Sequence, residues 1–364
     1  MPNLRIHMKR CCPELLGAGK AKKRRAPELD GDGDWISEEE MRAGAVMSIG
    51  AMEDPLFRRV LELRFGFDRG GGRRTPLEVA EALGKKHAKT GEAAQMLIRN
   101  ALRSIPLIPD DPKDLQVLFE DDQLLAVMKP PYLRTTPVHR FVGRSLTNQL
   151  VGYLEAAPAK PTDSQGSKQK ITSRAPNILH RLDQNTSGVV LCAKTKEAAR
   201  FMNERWHTAS CDKEYLAVAS RTSSSRLVSM DDSVLVTAPI GRDVTSDDPV
   251  RRAVNFDGGQ SAATRFHVLA VGPQAMLLSC KLEESGRTHQ IRVHAAHVGL
   301  PLVGDDQYGV DFEGMPPISR VALHAWRVRC THPVSLSPLL LEAPLPSDME
   351  QCLATCGLVW SAEG

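Results

Sequence analysis

The sequence predicts an α+β fold in which a small all-α module precedes a larger region of mixed strands and helices. Residues 54–104 carry apolar positions at helical spacing, interrupted by glycines. From Val117 to Leu345, apolar runs of strand length alternate with helical patterns. The 364 residues are 41% hydrophobic and 25% charged, and no apolar run approaches the length of a membrane helix. The sequence therefore predicts a globular chain without membrane contact.

The first 50 residues are predicted to lie outside the folded domains. Residues 1–27 form a basic tail, predicted to be disordered, whose cations cluster between Lys20 and Arg25. Such a cluster suits a nucleic-acid-contacting arm, an import signal or a solvated tail. Residues 28–50 are predicted to be an acidic linker. Its segment 28–39, ELDGDGDWISEE, also resembles a calcium-binding EF-hand loop, and both interpretations stay open.

Residues 51–106 are predicted to form a small helical module. PLFRRVLELRFGF gives the first helix, and Thr75 with Pro76 predicts the capped start of a short second helix. A last helix is predicted from about Gly91 to Ser104. This layout resembles region 4 of sigma-70 factors, a helix-turn-helix, which implies DNA or RNA contact by the module. The last helix has few polar groups to read base edges, so a docking or RNA-contacting role is the alternative.

The loop before a continuous apolar run, Gly188–Ala193, carries the densest group of functional residues. In ILHRLDQNTSGVVLCAKT, Asp183 is the only carboxylate, and Arg181 precedes it by two positions. A loop that feeds a buried strand is a place where functional groups are presented. A carboxylate there stays ionised if a cation or several donors stabilise it. An aspartate that caps its own turn is the alternative.

Two further segments carry polar groups suited to a binding site. KEYLAVAS predicts a strand on which Tyr215 points away from its apolar neighbours. ESGRTHQIRVHAAHVGLPLVGD enters a helix near Thr288, with Arg287 and Arg292 on either side of its start. Two arginines at a helix N-terminus suit a phosphate or carboxylate group. The HxxH spacing in this helix lacks an acidic or cysteine partner, so no metal site is predicted.

HRLDQNTSG, KEYLAV and SGRTHQIRVHAAHVGLPLVGDDQYG resemble the signature segments of RluA-type RNA pseudouridine synthases. MKPP, GGQSAAT and LHAW fit the same family in the same order, although Tyr132 stands after MKPP where the family has glycine. The resemblance implies a pseudouridine synthase-like catalytic domain over residues 113–347, with a largely antiparallel central sheet. A disordered insertion at about 156–176 and a C-terminal tail over 348–364 complete the predicted organisation.

The resemblance also implies a role for each matched residue. Asp183 would act on C1′ of the target nucleotide, whose uracil is detached, rotated and rejoined through C5 without a cofactor or metal. Tyr215 would stack on the base and take the C2′ proton, and Arg292 would pair with the aspartate. The implied substrate-binding residues are His180, Arg181, Arg287, Gln290 and Ile291. Of these, Arg181 would fill the gap left by the flipped nucleotide, and Ile291 would pack on the base.

The sequence therefore predicts an RNA pseudouridine synthase acting on ribosomal or transfer RNA, with the choice of RNA left open. The alternative is a nucleic-acid-binding regulator that uses the helical module, while the synthase domain binds RNA without catalysis. Eight scattered cysteines favour free thiols in a reducing compartment. We accordingly expect an intracellular location, with cytoplasm, nucleus and organelle all open.

Overall fold

The computed structural model divides the chain into two compact units. The helical unit comprises Met1–Pro112 and Thr136–Ala175, and the sheet unit comprises Lys113–Thr135 and Pro176–Gly364. The predicted basic tail and most of the acidic segment lie outside the described residues, and of residues 38–42 only the backbone is described. The structure describes residues 38–361 with the exception of 68–73, 85–86, 106, 139, 141, 157–175, 207, 209, 223–224, 226, 228 and 310–317.

The described part of the helical unit contains five helices, and polar side chains cap the starts of the second, third and fourth of them. The Asp54 carboxylate accepts from the backbone of Leu56 at 2.8 Å, and Thr75 and Glu78 form a reciprocal capping box. Buried apolar residues from α1 to α4 share one core. The helices are α1 (Glu38–Gly50), α2 (Pro55–Phe65), α3 (Pro76–Leu83), α4 (Gly91–Ser104) and α5 (Leu146–Ala156).

Two boundaries of the helical unit differ from the prediction. Helix α1 occupies residues predicted to be a linker, because Ala45 and Ile49 are spaced to join the helical core. Residues 136–156, predicted to belong to the catalytic domain, belong to the helical unit, and Val142 is buried in its core. The similarity of α2 to α4 to a sigma-70 helix-turn-helix stays a prediction.

The sheet unit is built on a mainly antiparallel sheet, as predicted. Its described strands follow the order β1-β2-β4-β11-β5-β10-β9-β6, with β12 beside β11, β3 beside β4, and β7 and β8 as a separate pair. Among the described pairings, β4 with β11 is parallel and the others are antiparallel. The strands are β1 (Gln116–Glu120), β2 (Leu124–Lys129), β3 (Asn177–Ile178), β4 (Ser187–Ala193), β5 (Asp212–Ser220), β6 (Ser233–Val236), β7 (Ile240–Arg242), β8 (Arg252–Val254), β9 (Ala263–Val271), β10 (Ala275–Glu284), β11 (Leu323–Thr331) and β12 (Pro338–Glu342).

Helices cover the sheet and bury its central strands. Every residue of β4 is buried, which explains its continuous apolar run. The described helices of this unit are α6 (Lys196–Arg205), α7 (Gln290–His297) and α8 (Ser347–Thr355). No helix among the described residues has the length and apolarity needed to cross a membrane.

The predicted C-terminal tail is instead part of the sheet unit. Helix α8 buries Met349, Cys352 and Leu353, whose spacing of three and four residues gives the helix one apolar stripe. Beyond it, the Trp360 ring packs edge-on against Trp326 at 5.2 Å between centroids. The prediction of a tail was wrong because this stripe is only three residues long and the surrounding sequence is polar.

Candidate active site

The backbone on either side of Asp183 is tied to neighbouring segments. Thr135 Oγ1 donates to the Leu182 carbonyl at 2.7 Å and accepts from the Leu182 amide at 3.0 Å. On the other side, the Gln184 amide group donates to the Tyr132 carbonyl at 3.0 Å. These contacts fix the loop, so the Asp183 carboxylate is positioned before any substrate arrives.

Lys129 is the buried cation of this framework. Its Nζ donates to the carbonyls of Pro130, Leu133 and Gln184 at 2.8, 2.7 and 3.0 Å, which uses all three ammonium donors. Burial lowers the pKa of Lys129 to about 7, and the negative charge of Asp183 acts in the opposite direction. The MKPP segment therefore supplies a residue, Lys129, that ties the Asp183 loop to the end of β2.

Two positions that flank the Asp183 loop in space, Tyr132 and Gly188, have backbone conformations that favour glycine. Tyr132 has a φ of 65°, in the left-handed region that favours glycine, so the tyrosine keeps the turn at a cost of roughly 1–2 kcal/mol. Gly188, at the start of β4, has a φ of 120°, and a Cβ added there would lie 2.2 Å from the Ala325 carbonyl oxygen. Glycine at position 188 thus permits the close parallel approach of β4 and β11.

Asp183 opens into a small cleft of about 70 Å³, the space of two or three water molecules. Its side chain is 24% exposed, and the His289 ring lies beside it, with Nε2 3.8 Å from Oδ2. All but one of the predicted site residues line this cleft. They are Arg181, Asp183, Tyr215, Arg287, Gln290, Ile291 and Arg292.

Arg292 is paired differently from the expectation. Its Nε donates to Asp305 Oδ2 at 2.7 Å and its NH2 group to Oδ1 at 2.5 Å, with a further contact to Asp306 at 3.2 Å. Among the described ion pairs, none joins Arg292 to Asp183. Burial opposes the charge of Arg292. The hydrogen bonds and charge of Asp305, together with the negative charges of Asp183 and Asp306, outweigh burial and hold the pKa of Arg292 above its usual value.

His289 and Tyr308 form a polar pair beside Asp183 that the sequence analysis did not identify. His289 precedes α7 in the left-handed conformation, with a φ of 59°, and its Nδ1 lies 2.9 Å from the Tyr308 hydroxyl. That hydroxyl oxygen also accepts from the Arg252 amide at 2.8 Å, which favours donation of its proton to Nδ1. The His289 proton is then on Nε2, facing Asp183. Burial lowers the pKa of His289, so the ring is neutral at neutral pH.

Tyr215 lies on β5 at the base of the cleft and is 8% exposed. Burial raises its pKa well above the usual value, and the charge of Asp183 raises it further. The phenol therefore keeps its proton at neutral pH. This electrostatic setting suits a ring that packs against a substrate and opposes the ionisation that a general base requires.

The structure does not place His180 in the cleft. Its ring stacks on Trp206 at 4.8 Å between centroids, and its Nε2 accepts from the Leu191 amide at 3.0 Å. Burial lowers the pKa of His180 to about 3, so the ring is neutral and structural. The family resemblance implied a substrate-binding role for His180, but its side chain points into the protein.

Gln290 and Arg287 organise the turn before α7. The buried Gln290 amide donates to the carbonyls of Ala263 and Glu284 at 3.1 Å each, and its oxygen accepts from the Arg287 amide at 2.9 Å. The Arg287 Nε donates to the Ser261 carbonyl at 3.2 Å, and the residue is half-buried. Gln290 therefore shapes the turn, and Arg287 is the residue available to an incoming phosphate.

The buried histidine of α7, His294, is engaged in hydrogen bonds within the protein. His294 Nδ1 lies 2.9 Å from Thr264 Oγ1, and Nε2 lies 2.8 Å from the Ala238 carbonyl, so both ring nitrogens have partners. Across the described residues, no group of three or more His, Cys, Asp or Glu side chains is arranged to hold a metal ion. The predicted calcium-loop segment, 28–39, falls outside the described side chains.

Comparison with known proteins agrees with this geometry. Residues 123–297 match a family model described as RNA pseudouridylate synthase. The uncharacterized RNA pseudouridine synthase YhcT of Bacillus subtilis is 34% identical over 243 residues, which cover 66% of this chain and 72% of that protein. The chain belongs to the RNA pseudouridine synthase family.

Further relatives place this pseudouridine synthase among the RluA-type enzymes. Ribosomal large subunit pseudouridine synthase D of Nitrosomonas europaea is 35% identical, with 66% of this chain and 64% of that protein covered. Ribosomal large subunit pseudouridine synthase C of Yersinia pestis is 33% identical, with 65% and 68% covered. The solved structure of human RNA pseudouridylate synthase domain containing 1 has the same fold, with a TM-score of 0.52 and 22% identity over 71% of this chain and 95% of that one. The predicted synthase activity is confirmed, and the regulator alternative is not favoured.

Proposed function

We propose that this pseudouridine synthase isomerises a uridine of large-subunit ribosomal RNA, with Asp183 as the catalytic residue. The observation that carries the mechanism is the Asp183 carboxylate, fixed through its flanking backbone and partly open to a cleft lined by Tyr215 and three arginines. Support for the substrate comes from the names of relatives 33–35% identical to this chain. Transfer RNA is the alternative substrate.

The chemistry needs no external reactant. The bond between uracil N1 and C1′ breaks, the base rotates, and a bond between C5 and C1′ forms. The proton lost from C5 is balanced by the proton gained at N1, so substrate and product are isomers. Asp183 acts at C1′ during this exchange, as a carboxylate is able to do by nucleophilic attack or by charge stabilisation.

Where the base leaves through a glycal, we assign the removal of the C2′ proton to Asp183 rather than to Tyr215. Asp183 then returns this proton to C2′ as C5 bonds to C1′. Burial and the charge of Asp183 both raise the pKa of Tyr215, so the phenol is a poor proton acceptor at neutral pH. Tyr215 instead supplies a ring on which the flipped uracil stacks, together with the side chain of Ile291. Aromatic stacking on a base is worth about 1–3 kcal/mol.

The two peripheral arginines contact the RNA. Arg181 is exposed at the rim of the cleft and fills the space that the flipped nucleotide leaves, which offsets part of an unstacking cost of a few kcal/mol. Arg287 binds a phosphate next to the target nucleotide. Arg292, held by Asp305, contributes positive potential beside Asp183 without neutralising it by direct pairing.

We further propose that the helical unit contacts nucleic acid and that the enzyme works inside the cell, where its RNA substrate is found. Contact with RNA serves the proposed activity, and contact with DNA is the alternative that the helix-turn-helix resemblance suggests. Binding of duplex DNA and of RNA by the full chain, each compared over a salt series, separates the two.

The test of the proposed activity is site mapping by carbodiimide labelling and reverse transcription. Unmodified ribosomal and transfer RNAs are incubated with the wild-type chain or with Asp183→Asn. We expect new stops in large-subunit ribosomal RNA with the wild type alone, while Asp183→Asn still binds that RNA. Stops confined to transfer RNA would show that transfer RNA is the substrate. Stops that persist with Asp183→Asn would show that Asp183 is not required for catalysis.

A second variant decides the role of Tyr215. With Asp183 as the base, Tyr215→Phe keeps the stacking ring and should retain pseudouridine formation within about tenfold of the wild type. A loss of pseudouridine formation as complete as that of Asp183→Asn would show that the Tyr215 phenol takes the C2′ proton.

A further inference from the structure

The helical unit contains a second cavity, of about 740 Å³, which the proposed chemistry does not use. Four arginines line it: Arg64 from α2, Arg99 and Arg103 from α4, and Arg140 from the segment that precedes α5. Its volume lies within the range of sites that bind small molecules or single nucleotides, roughly 300–1,000 Å³. All of its lining residues belong to the helical unit.

Helix α4 presents a polar stripe to this cavity. Gln95, Arg99 and Arg103 follow one another at intervals of four residues, so they share one face of the helix. Ala94 and Ala101 are fully buried on another face, which holds the helix against the core. The arrangement fixes the stripe in place and leaves the side chains of Arg99 and Arg103 exposed to solvent.

The guanidinium groups of the other two arginines, Arg140 and Arg64, are held in place by backbone carbonyls. Arg140 is half-buried, and its Nε donates to the Ile105 carbonyl at 2.5 Å. The Arg64 guanidinium donates to the Arg74 carbonyl. Most of the remaining lining is apolar, with Ile98 and Val138 among it, and Thr136 and Thr147 add two hydroxyl groups. Guanidinium groups beside apolar surface are able to bind phosphate at their edges and to stack on bases with their faces.

The charge of this cavity is of one sign. Among the described residues that line it, none is acidic, so its four arginines create positive potential that an anionic ligand relieves. The stripe of α4 forms the wall of a recess, whereas a helix that reads duplex DNA protrudes into the major groove. The chemistry therefore favours an unpaired, flexible phosphodiester chain over a rigid duplex.

We propose that the arginine-lined cavity binds unpaired nucleotides of the substrate RNA, at a position other than the target uridine. The phosphates would contact Arg99 and Arg103, and a base would lie against the apolar lining. This proposal rests on the proposed function, because that function supplies RNA as the substrate. The cavity would add affinity and substrate selection to a catalytic cleft that by itself recognises one flipped nucleotide.

The test compares two double variants of the full chain that remove equal charge. Arg99→Gln with Arg103→Gln removes two cavity cations, and Arg59→Gln with Lys89→Gln removes two exposed cations of the same unit that do not line the cavity. Binding is measured over a salt series with a large-subunit ribosomal RNA transcript, a short oligouridylate and duplex DNA. Thermal unfolding establishes that each variant is folded.

We expect the cavity variant to bind the transcript and the oligouridylate about tenfold more weakly, since two phosphate contacts are lost. The slope of log affinity against log salt should fall in magnitude by about 1.4. Arg99→Lys with Arg103→Lys, which keeps the charge, should recover part of the affinity. The control variant should bind within about twofold of the wild type.

Other outcomes overturn the proposal. Equal weakening of RNA binding in the two double variants would show that the effect is general electrostatics. Unchanged RNA binding by the cavity variant would show that the cavity does not bind RNA. A larger loss for duplex DNA than for RNA would make the unit a DNA reader. Pseudouridine formation by the wild type is measured on the same transcript, so a failure of the proposed activity is recorded separately from the binding comparison.

Discussion

Arg292 is bound by Asp305 through two hydrogen bonds, of 2.7 and 2.5 Å, and not by Asp183. The Asp305 side chain is completely buried and that of Arg292 is 6% exposed. A buried bidentate pair of this kind has a fixed geometry. The Asp183 carboxylate thus has a cation held nearby by another residue, while its own oxygens stay available to substrate.

Removal of the Asp305 charge should therefore damage the sheet unit. Asp305→Asn leaves a buried guanidinium without its anionic partner, and we expect a loss of about 3 kcal/mol in the free energy of unfolding. Asp306→Asn is the matched control, since that carboxylate is 72% exposed and its pairing should contribute less than about 0.5 kcal/mol. Urea unfolding of both variants measures the difference. Similar losses in the two would show that the pair with Asp305 does not hold Arg292.

Lys129 should act as a positioning residue for Asp183. Lys129→Met keeps the length of the side chain but removes the donor to the Gln184 carbonyl, next to the catalytic aspartate. We expect kcat for pseudouridine formation to fall about 10- to 100-fold because misplacement of a catalytic group is costly, while KM changes little.

The control for Lys129→Met is Lys194→Met, which removes a partly exposed ammonium bound to Glu120 at 2.7 Å, outside the loop. It should lower kcat by less than about twofold. A folded Lys129→Met enzyme with the wild-type kcat would contradict the positioning role.

Much of the active site follows from the sequence because its elements are local. The loop before β4 and the turn before α7 are each fixed by short segments, so Asp183 and Arg287 could be identified from HRLD and GRTHQIR. The inward direction of His180 could not, since it depends on Trp206, which follows it by 26 positions and stacks on its ring. The partner of Arg292 was likewise set by how α7 and the following turn pack together.

Domain membership was the least predictable feature. Leu146, Leu150 and Val151 share a buried face of α5, but such spacing does not state which core buries it. The structure assigns this segment to the helical unit, although it follows strands of the sheet unit in the chain. Apolar periodicity thus predicts the elements, whereas their assignment to one unit or the other depends on tertiary contacts.

Gly188 should be required for the approach of β4 to β11. In Gly188→Ala the new Cβ would lie 2.2 Å from a backbone oxygen that cannot rotate away, and the residue would keep an unfavourable φ of 120°. Gly258→Ala is the control, because Gly258 has a similar φ of 106° but nothing within 4 Å of the added Cβ.

We expect Gly258→Ala to lose about 1–2 kcal/mol of unfolding free energy through backbone strain alone. Gly188→Ala should lose at least about 2 kcal/mol more, through the added steric overlap. If urea unfolding shows equal losses of unfolding free energy in the two variants, the whole effect comes from the backbone φ. The close approach of β4 and β11 would then not explain why residue 188 is glycine.

The stability of the sheet unit should fall as the solution is acidified. Burial lowers the pKa of His180 to about 3 and that of His324 to about 4, below the usual value of about 6.5 in an unfolded chain. Below about pH 6.5 the unfolded chain therefore binds protons that the folded protein excludes. Each ring should reduce the free energy of unfolding by about 2 kcal/mol between pH 7 and pH 5.

His180→Gln tests this pH dependence, because glutamine is able to accept from the Leu191 amide but does not titrate. The variant should lose stability at pH 7 through the missing contact with Trp206, yet the difference between pH 7 and pH 5 should shrink by about 2 kcal/mol. His297→Gln is the control, since that ring is exposed in the folded protein and the pH difference should stay as in the wild type. An undiminished pH difference in His180→Gln would mean that the buried ring is not what makes the folded protein sensitive to acid.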